Sequence, residues 1–125
     1  MAIKESGEMY LETILVLSQK MEIVRAIDVV KELGYSKPSV SRAMSILKND
    51  GFIKVSDTGA ITLTAKGRKI AETIYERHNV ISDLLEMIGV SKDVAIEDAC
   101  RVEHYISEET FRAIKEQLKS KEDQV

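Results

Sequence analysis

Apolar positions recur at helical spacing almost from the start of the chain. Tyr10, Leu11, Ile14, Leu15 and Leu17 mark one face of a helix that opens near Ser6, its expected N-cap. After a short connection at Met21–Val24, a second helix spans Arg25–Leu33 with Ala26, Val29, Val30 and Leu33 inward, and Gly34 stops it. A third begins at Ser36 as N-cap, with Pro38 in its first turn, where a missing N–H costs little. Val40, Met44 and Leu47 form its inward stripe, with Ala43 beside them, and Gly51 ends it. The period then shortens to two. Phe52–Ser56 and Ala60–Thr64 read as strands around a turn at Asp57-Thr-Gly59. From Thr64 or Ala65 the helical period returns at Ile70, Ala71, Ile74, His78, Ile81, Leu84, Leu85 and Ile88. This helix reaches Gly89, a length of roughly 36 Å at 1.5 Å per residue. Two more follow, over Asp93–Ile106 and over Glu108–Leu118, the latter capped by Ser107 with Phe111, Ile114 and Leu118 inward. The polar stretch 119–125 is expected to fray.

Two short helices joined by a glycine-containing turn, then a hairpin, make a winged helix-turn-helix. The fold class is therefore mainly α with a small β-hairpin wing. A winged-helix domain over 1–64 is followed by an α-helical domain over 65–125. The outward face of the third helix carries Lys37, Ser39, Ser41, Arg42, Ser45 and Lys48, a small, polar and basic surface suited to a DNA groove.

Composition narrows the class. With 44% hydrophobic and 31% charged residues and one proline, the chain is globular and helix-rich rather than disordered. No apolar run approaches the roughly 18 residues needed to span a bilayer. The start Met1-Ala-Ile-Lys-Glu-Ser has no apolar core of a secretion signal, and a single cysteine fits a reducing compartment, so a cytoplasmic location is expected. Net charge is −3, yet it is unevenly spread. Residues 36–75 carry seven basic against three acidic side chains, and 76–125 carry seven against twelve. A basic middle and an acidic C-terminal part point to separate tasks.

The densest chemistry lies in Asp98-Ala-Cys-Arg-Val-Glu-His104, which holds the only cysteine and one of two histidines. On a helix Cys100, Glu103 and His104 stand i, i+3 and i+4, so thiolate, carboxylate and imidazole can meet at one point. Such a donor set suits a borderline divalent ion such as Fe, Co, Ni or Zn better than Mg or Ca. A buried structural cysteine beside a solvated Glu-His pair is the other reading of the same residues. No Gly-rich phosphate loop and no Ser/His/Asp or Cys/His/Asn set accompanies them, so no enzyme and no small organic substrate is expected.

Four segments resemble the diphtheria toxin repressor family of metal-dependent bacterial transcription regulators: Glu8-Met-Tyr-Leu-Glu12, Ser36-Lys-Pro-Ser-Val-Ser41, Leu63-Thr-Ala-Lys-Gly67 and Asp98-Ala-Cys-Arg-Val-Glu-His104. Arg77-His78 matches a fifth point, and together they cover essentially the whole chain in order. The larger iron-responsive members add an SH3-like third domain, so the resemblance leads to the expectation of the short two-domain form. It implies a homodimer on double-stranded DNA at a palindromic operator, with repression as the default outcome. It also implies a regulatory metal held by Met9, Cys100, Glu103 and His104. His78 and Glu12, with Glu103 as a bridge, are the expected ligands of a possible second ion; Ser82 and Ile96 stand where the iron branch has further ligands. Ser36, Pro38, Ser39 and Arg42 are expected to face DNA, Pro38 against a thymine methyl. Arg42 replaces a glutamine of the iron branch. Lys37, Ser41, Lys48 and the wing's Lys54 are further candidate DNA contacts.

Metal identity turns on Met9 and Cys100, where the manganese branch carries acidic residues. Thioether and thiolate are soft donors, and Mn²⁺ binds weakest in the first-row order, so Fe²⁺ is expected. Co²⁺, Ni²⁺ or Zn²⁺ would substitute in vitro. Mn²⁺ is the alternative, on the chain's length and Glu12, and a metal-independent winged-helix protein is a further one.

Overall fold

The computed structural model describes residues 5–123, and side chains through residue 120. The elements run α1 Glu5–Lys20, α2 Ala26–Leu33, α3 Lys37–Asn49, β1 Ile53–Val55, β2 Ile61–Leu63, α4 Ala65–Met87, α5 Lys92–Val102 and α6 Glu108–Asp123. They form two compact units, 1–73 and 74–125, and the division falls inside α4. The four residues before Glu5, on which the absence of a secretion signal was read, lie outside the described residues.

In the first unit, α1, α2 and α3 enclose Leu11, Ile14, Val29, Val40 and Leu47, and the hairpin adds Ile53 and Ile61. β1 and β2 pair antiparallel with Ile53 opposite Leu63 and Val55 opposite Ile61. The hairpin is shorter than its sequence pattern, and Val24 extends it: the Ile61 amide donates to the Val24 carbonyl at 2.7 Å. The connection before α2 thus acts as a third sheet edge, a pairing that no alternation in Met21–Val24 could announce. At the wing tip, Arg25 Nε donates to the Thr58 carbonyl at 3.2 Å.

Local signals set most boundaries. The Ser39 amide donates to Ser36 Oγ at 3.3 Å, capping α3 with Pro38 in its first turn. The Thr110 amide donates to Ser107 Oγ at 3.1 Å, capping α6. Three expectations differ from the structure. Ser6 lies inside α1, which already includes Glu5. α6 continues through Asp123, so the polar stretch after Leu118 is helical as far as it is described; Lys119, Lys121 and Glu122 are sound helix formers once a helix is started. Ile88 follows the end of α4 and is 65% exposed rather than inward.

The second unit packs Ile74, Ile81, Ala95, Ala99, Phe111 and Leu118 together. Small Ala95 and Ala99 let α5 approach its neighbours closely. Met87, Ile88, Val94, Ile96, Val102 and Tyr105 remain exposed on the single chain.

The joint between wing and α4 depends on one glycine. The Gly67 amide donates to Thr64 Oγ1, and Thr64 Oγ1 donates in turn to the Gly51 carbonyl at 2.7 Å. This brings Gly67 so near the end of α3 that a Cβ there would sit 2.0 Å from the Phe52 carbonyl oxygen. That oxygen is fixed by accepting the Thr64 amide at 3.1 Å. Gly67→Ala should therefore destabilise the protein by about 1–3 kcal/mol through overpacking against immobile backbone. Urea unfolding measures this, and an unchanged midpoint would show that the joint yields freely.

Candidate metal centre

Cys100 lies on the last turn of α5, and Glu103 is the residue at its C-terminal cap. The helix ends at Val102, four residues earlier than its apolar pattern suggested, and 103–106 form a turn instead. The change redirects Glu103. Its side chain is fully buried, 0% exposed, and turns toward α4. There His78 Nδ1 lies 2.8 Å from Glu103 Oε2 and 3.7 Å from Cys100 Sγ. The three donor atoms all lie within 4.8 Å of one another. A first-row ion with bonds of about 2.0–2.3 Å separates its donors by roughly 3–4 Å, so the cluster needs only small adjustments to close on one.

His104 stands on the other side of the same carboxylate. Its Nε2 is 3.3 Å from Glu103 Oε1, and its side chain is almost entirely buried. Glu103 Oε1 is itself buried and accepts no hydrogen bond. A buried carboxylate oxygen without a donor is costly, at about 1–3 kcal/mol or more for a charged group. A cation satisfies it. The donor chemistry therefore fits a divalent transition ion: sulfur, imidazole nitrogen and a carboxylate with an unfilled oxygen.

The turn that carries Glu103 is held from α4. Arg77 Nη1 donates to the carbonyls of Glu103 at 3.3 Å and Ile106 at 3.0 Å, and its guanidinium lies over the Phe111 ring at 5.4 Å. These carbonyls are ones that a continuing helix would have satisfied. Arg77 takes over that role, and adjacent His78 reaches the carboxylate from the same helix.

Of the metal residues expected from sequence, Cys100 and Glu103 stand together, and His104 adjoins Glu103. His78, expected to hold a second ion with Glu103 as a bridge, lies beside both Glu103 and Cys100. No spacing rule could reveal this, since 22 positions separate it from Cys100. Met9 and Glu12 belong to the first unit, both half-buried on α1. Of the residues expected to contact DNA, Ser36, Lys37, Pro38, Ser39, Ser41, Arg42, Lys48 and Lys54 are all exposed, those on α3 away from the buried Val40–Met44–Leu47 stripe. Ile46 is also exposed on α3, at 53%.

Cys100 and then Glu103 push the His78 imidazole up from its ordinary 6.5 to about 10. Without metal, His78 is therefore a cation at neutral pH. A folded value above the unfolded one means that the ion pair stabilises fully below about pH 6.5 and is lost as pH rises through about 10. A ligand at Nδ1 must displace this proton, so metal affinity should rise with pH across that window. Zinc titration calorimetry at pH 7 in buffers of differing ionisation enthalpy should show proton release. His78→Gln should lower the count by about one per ion. Equal release from both proteins would mean that Nδ1 is not a ligand.

Two family models cover nearly the whole chain. The iron-dependent repressor N-terminal DNA-binding domain matches residues 2–61, and the iron-dependent repressor metal-binding and dimerisation domain matches 64–124. The transcriptional regulator MntR of Escherichia coli O6:H1 is 35% identical over 106 residues, 85% of this chain and 68% of that protein. The diphtheria toxin repressor of Corynebacterium glutamicum is 30% identical over 115 residues, 91% of this chain and 50% of that one. A solved manganese-dependent transcriptional repressor in complex with manganese superposes with a TM-score of 0.81 at 25% identity, over 90% of this chain and 52% of that chain. The chain thus spans about half to two-thirds of the length of the relatives it matches. With a winged helix in one unit and a sulfur–nitrogen–oxygen cluster in the other, it belongs to the iron-dependent repressor family of metal-dependent transcriptional regulators.

Proposed function

We propose that this protein is an Fe²⁺-responsive transcriptional repressor that binds a palindromic operator as a homodimer when loaded with metal. The carrying observation is the Cys100–His78–Glu103 cluster with its unfilled carboxylate oxygen, in a chain whose other unit exposes a polar, basic recognition helix. No catalytic role is assigned to it. Among the described residues no helix is long and apolar enough to cross a membrane, and a DNA-binding task belongs in the cytoplasm.

Within the second unit, Cys100, Glu103, His78 and His104 would hold the ion. The two oxygens of Glu103 each face one imidazole, which allows the carboxylate to serve one ion or bridge two. Met9 would add a thioether from the first unit, with Glu12 available to a second ion. The ion supplies a shared coordination sphere that favours one arrangement of the units over the others. In that arrangement the α3 helices of a dimer enter successive major grooves. Ser36, Pro38, Ser39 and Arg42 read base edges and sugar–phosphate, and Lys37, Ser41, Lys48 and Lys54 contact phosphates. The exposed Met87, Ile88, Val94, Ile96, Val102 and Tyr105 supply apolar surface for a second copy, consistent with the dimerisation domain that the family model describes.

Iron rather than manganese follows from the soft donors at Met9 and Cys100. Manganese is the second reading, favoured by the MntR name of a 35% identical relative and by Glu12. Anaerobic gel shifts should show operator binding with Fe²⁺ and its loss with a chelator. Equal binding in both would sink the metal switch and leave a metal-independent winged-helix protein. Met9→Asp combined with Cys100→Glu should move the response from iron toward manganese, read as the ratio of half-activating concentrations. An unchanged ratio would mean that these positions do not set preference.

A further inference from the structure

The sulfur proposed as a metal ligand already has a partner inside its own unit. Tyr35 Oη donates to Met9 Sδ at 3.7 Å. The Tyr35 ring meets Tyr10 edge-on, with centroids 6.1 Å apart and planes at 75°. Tyr10 is buried in the core directly after Met9. Met9 is further fixed by its carbonyl, which accepts from Thr13 Oγ1 at 2.8 Å. At the other end of the contact, Tyr35 immediately precedes Ser36, whose hydroxyl caps the recognition helix. An aromatic side chain 42% exposed in this turn is not explained by core packing alone.

We propose that Tyr35 is a positioning residue that links the state of the Met9 thioether to the N-terminus of the recognition helix. The proposal rests on the reading of Met9 as a metal ligand. A thioether sulfur is a weak acceptor with two lone pairs. The Tyr35 hydroxyl engages one and thereby restricts the direction in which the other is offered. A change of Met9 rotamer on ligation alters or breaks the O–H···S contact. Tyr35 directly precedes the capping serine, so a change in its backbone torsions bears on the cap of α3. The edge-on contact with Tyr10 limits the Tyr35 ring to few orientations, so keeping or losing the hydroxyl contact biases the residue that leads into the cap. Sensor and reader are thus joined by one side chain within the DNA-binding unit.

The test uses the full-length chain with Zn²⁺ as a diamagnetic probe. Tyrosine-ring and amide NMR signals are followed in the wild type, Met9→Leu and Tyr35→Phe. Zinc should move the Tyr35 ring signals and the Ser36 and Ser39 amides in the wild type. It should move them far less in Met9→Leu, which should also bind zinc more weakly. Tyr35→Phe keeps the Tyr10 contact and should unfold at the same temperature as the wild type. Its zinc-dependent gain in operator affinity should fall about three- to tenfold, the range of one neutral hydrogen bond. If Met9→Leu weakens zinc binding but the Tyr35 and Ser36 signals ignore zinc, the link is overturned while Met9 stands as a ligand. Full zinc-dependent gain in Tyr35→Phe overturns it equally. If Met9→Leu binds zinc as the wild type does, the ligand reading of Met9 fails, and this proposal with it.

Discussion

A carboxylate with no access to water sits at the end of α5, and the second unit is arranged around satisfying it. Glu103 is 0% exposed, and an unpaired charge there would cost several kcal/mol. His78 offsets that cost on one oxygen, holding a proton to about pH 10 so that the pair is an ion pair at neutral pH. The other oxygen has His104 nearby but no hydrogen bond. One carboxylate oxygen is thus left without a hydrogen bond, while a single proton on His78 offsets part of the buried charge. In the proposed function, an ion with two charges and several coordination positions would fill what the proton leaves open.

The same carboxylate explains why α5 ends where it does. Had the helix run on past Ile106, later amides would have met the carbonyls of Glu103 and Ile106; ending it leaves them in need of partners. Arg77 supplies those partners from α4, binding the carbonyls of Glu103 and Ile106. Because Arg77 and His78 are consecutive, one turn of α4 fixes both the backbone and the side chain of Glu103. The adjacent pair can do this because the two side chains diverge around the helix, Arg77 toward Phe111 and His78 toward Cys100.

The fold was largely legible in the order of hydrophobic periods. The change from period 3.6 to 2 and back located the wing between α3 and α4, and the caps at Ser36 and Ser107 are where side-chain chemistry placed them. What escaped is non-local. The Val24–Ile61 pairing depends on how the hairpin packs, and the position of His78 depends on α4 lying beside α5. The candidate site shows the same division. Cys100 and Glu103 were visible through helical spacing, whereas their nearest imidazole was not the one in the same segment. His104 reaches the same carboxylate from a turn, since the helix that its spacing assumed stops two residues short of it.

Gly67 and Tyr35 extend this logic to the reading unit. Gly67 was visible only as part of a sequence resemblance; its physical reason is the Phe52 carbonyl, which leaves no room for a Cβ. That contact makes the wing and the start of α4 one piece, so the hairpin cannot drift relative to the helix leaving the DNA-binding unit. Tyr35 acts at the other end of α3, where a weak O–H···S contact, rather than a rigid wedge, adjoins the helix start. The difference in strength matters for a switch. A joint that must not move is built from backbone in hard contact, whereas a joint that must respond to a ligand is built from a bond weak enough for that ligand to outweigh. In the proposed function, the half-buried thioether of Met9, held by that weak contact, would meet the second requirement.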